Sequence, residues 1–359
     1  MHQSGQFLLH GAKKLSWVFG KPFGRLAAIA LALVAALASG PITAQDTVTV
    51  RNADGGLVQR TGLVVDVNAE RVVLKVGERE QKIPFSQVVQ MRTSLDELAA
   101  TGDLLLAERK YELAFAAYGK GLEATTPAWM RRRLLAGRVK SAVQMKAWSQ
   151  AADEFLALVA SDPYTQYFSA IPLAWTSSPV DVAIAKKIPT WLGSSNIIEQ
   201  LIAASHGLAD ANRDAALKVL ANLSKSEEPR IAALAQAQRW RASVKVDSAT
   251  LAEWTAHVDA MPEDLRAGPH FVLGNALGQV DPEAAVLHLM RVPVLFADRF
   301  DLAARALLQA AEHLLKLNRA AEARIVLQEI VDKHSATADA DLAAEKLSRI
   351  INPSDIRHP

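Results

Sequence analysis

The chain has 359 residues, half of them hydrophobic, with 40 Lys and Arg against 38 Asp and Glu. That is enough apolar side chain for a sizeable core and more than one domain, and so balanced a charge gives no sign of a nucleic-acid partner. The lack of cysteine excludes a disulfide framework, thiolate metal ligands, a thiol nucleophile and bacterial lipidation.

Residues 1–44 contain no Asp or Glu, and Lys13, Lys14, Lys21 and Arg25 precede an apolar run over residues 26–38. A basic stretch followed by a short apolar one is the layout of a secretory signal peptide. The run falls short of the ~20 residues a membrane-spanning helix needs. Cleavage is expected after Ala44, with Ile42 and Ala44 at the positions of the small-residue rule. Ala38-Ser39-Gly40 is the second candidate, and retention as an inner-membrane anchor is the alternative. Beyond the leader, 36 basic side chains face 38 acidic ones. The expected location is the bacterial periplasm.

Over residues 45–93 the apolar period is two. Val48 and Val50 alternate with Thr47, Thr49 and Arg51, and Asp54-Gly55-Gly56 signals a hairpin turn. A second strand over residues 57–67 contains Gly62, and a third runs over residues 71–76. A fourth covers residues 80–83 and a fifth 88–91, after Pro84-Phe85-Ser86. A glycine inside a strand suits a sharp bend, because no Cβ obstructs the neighbouring backbone. Five short strands so arranged resemble a small SH3-like or Sm-like barrel.

From Ser94 to Ile351 the pattern is helical and alanine-rich. Ser94-Leu-Asp-Glu97, Ser224-Lys-Ser-Glu227 and Thr250-Leu-Ala-Glu253 read as capping boxes. Thr126-Pro127, Asp162-Pro163, Ser178-Pro179 and Asp281-Pro282 each place a cap before a proline at the first helical position. Asp339 and Asp341 read as caps of the last helix. Lys110-Tyr111-Glu112-Leu113-Ala114 continuing to Tyr118 and Gly121, and Ala320-Ala321-Glu322-Ala323-Arg324 continuing to Leu327 and Ile330, share one spacing of small and large side chains. That spacing lets two antiparallel helices lock together and stack on the next pair.

Leu98, Gly102, Leu105, Tyr111, Ala114, Tyr118 and Gly121 stand where tetratricopeptide repeats carry their signature, so this segment resembles that family. A second copy reads Leu135, Val139, Ala142, Trp148, Ala151, Phe155, Leu158 and Pro163. A third passes through Ala203, Ala204, Ala216, Leu220 and Leu223. The last runs from Leu307, Ala310, Ala311 and Leu314 to Ala323, Leu327 and Ile330, with a capping helix after it. The fold expected is mainly α: a helical-hairpin solenoid over residues 94–163 and 197–351, preceded by the small all-β barrel and followed by a tail over residues 352–359. Residues 164–196, with Pro172, Pro179, Pro189, Trp175 and Trp191, break the register and read as an irregular insertion with one short helix over residues 180–187.

No enzyme signature is present. There is no nucleophile elbow and no phosphate-binding loop, and Gly274 and Gly278 lack the spacing of a dinucleotide fingerprint. The nine His residues show no metal-ligand spacing. His206, His270, His288 and His313 are expected as hydrogen-bonded or surface side chains. The sequence therefore assigns no catalytic, metal or cofactor-binding residue.

The densest charge run is Arg131-Arg132-Arg133 with Arg138 and Lys140. By resemblance, Arg133 and Lys140 fall where the family lines its concave groove, and a basic wall there could hold an acidic segment. The alternative is a solvated, Arg-rich helix face. The family's peptide-terminus clamp has no counterpart, because its positions carry Ala136, Gly137, Leu201 and Ile202. Trp129, Trp148, Trp240 and Trp254 read as packing, which leaves Trp175 and Trp191 as candidates for partner contact. The expectation is a non-enzymatic scaffold of the bacterial envelope that binds a protein or peptide in its groove. Tethering to cell-wall polymer through the barrel is the second reading, and RNA binding by a non-exported Sm-like protein is the third.

Overall fold

The computed structural model describes residues 45–177, 181–243 and 245–351. The leader, its cleavage site, the Ser178-Pro179 cap and the tail lie outside the described residues.

Five strands open the described chain: β1 (Asp46–Arg51), β2 (Leu57–Val67), β3 (Arg71–Val76), β4 (Arg79–Pro84) and β5 (Val88–Arg92). They form an antiparallel sheet in the order β4-β3-β2-β1-β5. The long strand β2 serves two partners. Its first half, to Gly62, faces β1, and from Leu63 onward it faces β3. At the changeover a Cβ on Gly62 would sit 2.4 Å from the Lys75 carbonyl oxygen, so only glycine lets the backbones approach so closely.

Fourteen α-helices follow among the described residues. The first eight are α1 (Glu97–Ala107), α2 (Tyr111–Ala124), α3 (Ala128–Gln144), α4 (Trp148–Ser161), α5 (Val182–Leu192), α6 (Ile197–Gly207), α7 (Arg213–Leu223) and α8 (Pro229–Trp240). The rest are α9 (Ser248–Ala260), α10 (Ala267–Leu277), α11 (Pro282–Leu295), α12 (Phe300–Lys316), α13 (Ala320–Lys333) and α14 (Ala338–Ile351). Each packs mainly on its neighbours in sequence, the arrangement of a tetratricopeptide-like solenoid. The joins are loosest between α4 and α5 and between α8 and α9.

The repeat chemistry is clearest at Tyr118. Its ring is fully buried between two helices, and a Cβ on Gly102 of α1 or Gly137 of α3 would meet it at 2.5 Å. Its hydroxyl donates to Asp103 at 2.7 Å. The turns inside three hairpins also match. Arg109, Lys146 and Asn318 all take positive φ, 62°, 60° and 60°, just past the ends of α1, α3 and α12. The next backbone N–H reaches back to Leu105, Ala142 and Leu314 respectively, closing a left-handed helix terminus.

Several expected caps are replaced. Ser94 does not cap α1, because its N–H (2.9 Å) and hydroxyl (3.3 Å) both donate to Asp46, whose other oxygen accepts from Val64 N–H at 2.8 Å. Pro127 is itself the N-cap residue of α3, one position earlier than expected. Asp162 starts no helix; it accepts from Tyr164 N–H and tightens a turn. Glu228 caps α8 in place of Ser224, and Asp247 caps α9 in place of Thr250. Asp281 does cap α11, with Pro282 at the first position. Asp339 and Asp341 lie within the first turn of α14, and Asp339 is buried against Arg305 at 3.0 Å. The insertion's helix, α5, starts at Val182 behind the Asp181 cap and runs to Leu192, longer than expected.

The sheet and the first hairpins share one core. Val48, Val64, Val72, Leu74 and Ile83 pack in a single cluster with Ala99, Tyr118, Met130 and Leu134. Arg132 adds a polar bond across the same junction, donating to Asp66 at 3.0 Å and to the Val67 carbonyl at 2.8 Å.

Candidate functional site: the groove and the segment that crosses it

The charge run singled out in the sequence is committed inside the molecule. Arg131 donates to the Leu122 and Thr125 carbonyls. Arg133 pairs with Asp96 at 2.5 Å and Asp103 at 3.0 Å. Arg138 binds Glu154 and lies over the Phe115 ring. Lys140 reaches Asp298, 3.1 Å away and 158 residues on. Burial opposes the charge on Asp298, but Arg299 and Lys140 outweigh it and hold its carboxyl below the usual range.

The Lys140 pair is one of several contacts that close the solenoid on itself. Lys146 approaches Asp301 at 3.8 Å, Gln144 donates to the Asp298 carbonyl, and Arg109 stacks on the Phe300 ring at 3.8 Å. The turns of the first two hairpins thereby meet the start of α12. Inside this curl lie two cavities, of about 370 Å³ and 880 Å³, that share Trp175, Thr176 and Arg305 in their walls.

The insertion runs through this groove. After α4 the chain makes a short 3₁₀ turn (Phe168–Ala170) and continues over residues 171–176 without helix or strand. Ile171 and Leu173 are buried in the core cluster that also holds Leu201, Ile202 and Leu234. Side chains of the surrounding helices grip its backbone. Arg299 donates to the Ser169 carbonyl. His206 Nε2 lies 3.0 Å from the Pro172 carbonyl. Ser205 Oγ accepts from Ala174 N–H at 2.7 Å, and Gln238 donates to the Ala174 carbonyl at 3.0 Å. Arg241 donates to the Thr176 carbonyl at 3.2 Å.

His206 is held neutral. Burial lowers it to about 4, against the hydrogen bond to Pro172, which favours the charged form less strongly. Its Nε2 therefore carries the proton and donates to the carbonyl. Trp148, expected as packing, sets its edge against the His206 ring at 5.0 Å and lines the smaller cavity.

Trp175 lines both cavities, its indole packed closely against Gly268 in the first turn of α10. A Cβ on Gly268 would come within 2.0 Å of the ring, so this glycine makes the room. Trp191 lines neither cavity; it lies at the end of α5 with Lys187 Nζ 4.9 Å above its ring. Trp240 and Trp254 stack on each other at 4.7 Å. Ala136, Gly137, Leu201 and Ile202 are buried in helix packing.

The residues that the sequence did not single out are the grips Ser205, Gln238, Arg241 and Arg299; it named His270 and His288 singly, without pairing them. His270 and His288 face each other with Nδ1 atoms 3.1 Å apart. Burial lowers both, His270 to about 3 with further help from the proximity of His288. Among the described residues, no group of acidic and His side chains could hold a metal ion.

No family model matches the chain, and no curated protein does. A solved structure that it is similar to is the TPR2AB domain of yeast Sti1 in complex with pHSP90. The likeness covers 71% of this chain and 96% of that one at 14% identity, with a TM-score of 0.26. The solenoid assignment rests on the helix packing above and takes nothing from that likeness.

Proposed function

We propose that the chain is a non-enzymatic, exported scaffold that holds a peptide segment of a protein partner in the groove of its solenoid. The observation that carries this reading is the grip on residues 169–176. Five side chains from three separate parts of the solenoid hydrogen-bond main-chain atoms of one non-helical segment. Main-chain hydrogen bonds hold an extended peptide irrespective of its side chains, and a solenoid offers an extended concave surface on which to make them. The two cavities beside the segment leave room for a second chain.

Export to the bacterial envelope is the cellular half of the proposal, supported by the basic and apolar layout of residues 1–44. The polymer-tether reading finds less support. Phe85 is the one aromatic residue in positions 45–93, and it packs against the core shared by sheet and helices.

A photo-crosslinking side chain at Gln144, in the wall of the smaller cavity, tests the groove in living cells. A discrete crosslinked protein, absent with the same group at Lys225, is the expected result. Identical patterns from both positions would refute groove binding. Export is tested separately by the mass of the periplasmic protein, expected to begin at Gln45; an intact leader in the cytoplasm would overturn it.

A further inference from the structure

The larger cavity carries charge that the fold leaves uncompensated. Arg241, just past the end of α8, donates to three neutral acceptors: the Ser205 carbonyl at 2.9 Å, the Gln238 side-chain oxygen and the Thr176 carbonyl. It makes no ion pair among the described residues. Arg213 is close enough to oppose its charge, and burial together with that repulsion lowers Arg241 to about 10. A desolvated guanidinium with only carbonyl partners is costly, because neutral dipoles replace little of what a carboxylate would supply. Two of its five N–H groups have no acceptor among the described residues.

The rest of the wall has the same sign. Lys245 and Lys316 border the cavity and make no ion pair among the described residues. The acidic lining residue Glu312 is taken by Lys346 at 3.0 Å. Asn275 Oδ1 and His313 Nδ1, in the same wall, are buried without a hydrogen-bond partner among the described residues. Trp175, Phe271 and Val272 supply an apolar side. At about 880 Å³ the space is large enough for a small molecule, with this apolar side facing a wall of polar and basic side chains.

We propose that this cavity binds a small organic anion, a carboxylate or phosphate carried on an apolar body. Arg241 makes the central contact and Lys245 and Lys316 hold the rim. Planar donation from a guanidinium suits either oxyanion, and the low-dielectric wall strengthens the bond. The site shares Arg241, Trp175 and Thr176 with the grip on residues 169–176, but its test uses small anions and needs no peptide partner.

The test is isothermal titration calorimetry of the full chain at constant ionic strength, with phenyl phosphate, phenylacetate, inorganic phosphate and benzyl alcohol as probes. Saturable binding of the two aromatic anions is expected, with inorganic phosphate weaker and benzyl alcohol silent. The Lys245→Gln/Lys316→Gln double variant should weaken phenyl phosphate about fivefold or more, in line with charged contacts at a partly solvated rim. Arg241→Gln should weaken it at least about tenfold, the effect of losing a charge-assisted hydrogen bond. Arg241 also has structural bonds, so the lysine pair, which makes no ion pair among the described residues, is the decisive variant. Absence of saturable binding by any anion, or an unchanged Kd in the lysine variant, would overturn the proposal.

Discussion

His206 should make the groove acid-labile, and the size of the effect can be worked from its surroundings. The ring is buried, with its Nε2 proton on the Pro172 carbonyl and its face against Trp148. Folding lowers it from 6.5 to about 4, with burial as the main cause. Above pH 6.5 the ring is neutral in both states and contributes no pH dependence. As pH falls below 6.5 the unfolded chain takes up a proton that the folded chain refuses, so stability declines until the folded ring titrates near 4. At about 1.4 kcal/mol per unit, the loss is about 2 kcal/mol at pH 5 and about 3 kcal/mol in full.

The assay is urea unfolding of the parent and His206→Gln from pH 7.5 to pH 4.5. Glutamine keeps a donor for Pro172 but cannot titrate. Its poorer packing on Trp148 shifts stability equally at every pH, so only the difference in slope matters. His270 contributes its own decline, toward about 3, in both proteins and cancels. The parent should lose about 2 kcal/mol more than the variant between pH 7 and pH 5. Parallel curves would show that His206 is not a buried neutral donor and would remove it from the grip on the insertion.

Gly268→Ala should displace Trp175, since its Cβ would fall 2.0 Å from the indole; a cost of about 2–4 kcal/mol and a red-shifted tryptophan emission are expected. Adding Trp175→Ala should make the pair less than additive, and strict additivity would place the ring elsewhere. Asp46→Ala leaves the backbone donors of Val64 and Ser94 without an acceptor, for a loss of about 2–4 kcal/mol in denaturant unfolding. Asn318→Gly relieves a left-handed residue at a helix end and should raise stability by about 0.5–1 kcal/mol. Tyr118→Phe removes only the bond to Asp103 and should cost about 1 kcal/mol, with the ring still clasped by Gly102 and Gly137.

Local pattern made the elements legible. Alternation of Val48 and Val50 predicts β1, Gly62 marks the bend of β2, and the spacing from Gly102 to Tyr118 identifies the first hairpin. Each depends on residues that meet within one turn, one hairpin or one neighbouring helix. Cap placement was less legible, because Ser, Asp and Glu compete for the same donors. Asp46, distant in sequence, takes Ser94 away from the helix it precedes.

The candidate site needed the tertiary structure. Arg133 and Lys140 look like a free basic face in the sequence, but packing of α3 on α1 brings Asp96 and Asp103 against Arg133, and the curl of the solenoid brings Asp298 against Lys140. The grips on residues 169–176 come from α6, the end of α8 and the start of α12, and no short-range spacing links them. His270 and His288 are 18 residues apart on consecutive helices and share no motif. The sequence by itself determined a sheet followed by stacked helical hairpins, because periodicity and turn chemistry act over a few residues. The curvature accumulated over the fourteen helices of the described residues decided which distant charges pair, where the insertion runs and that Arg241 finds only neutral acceptors among those residues.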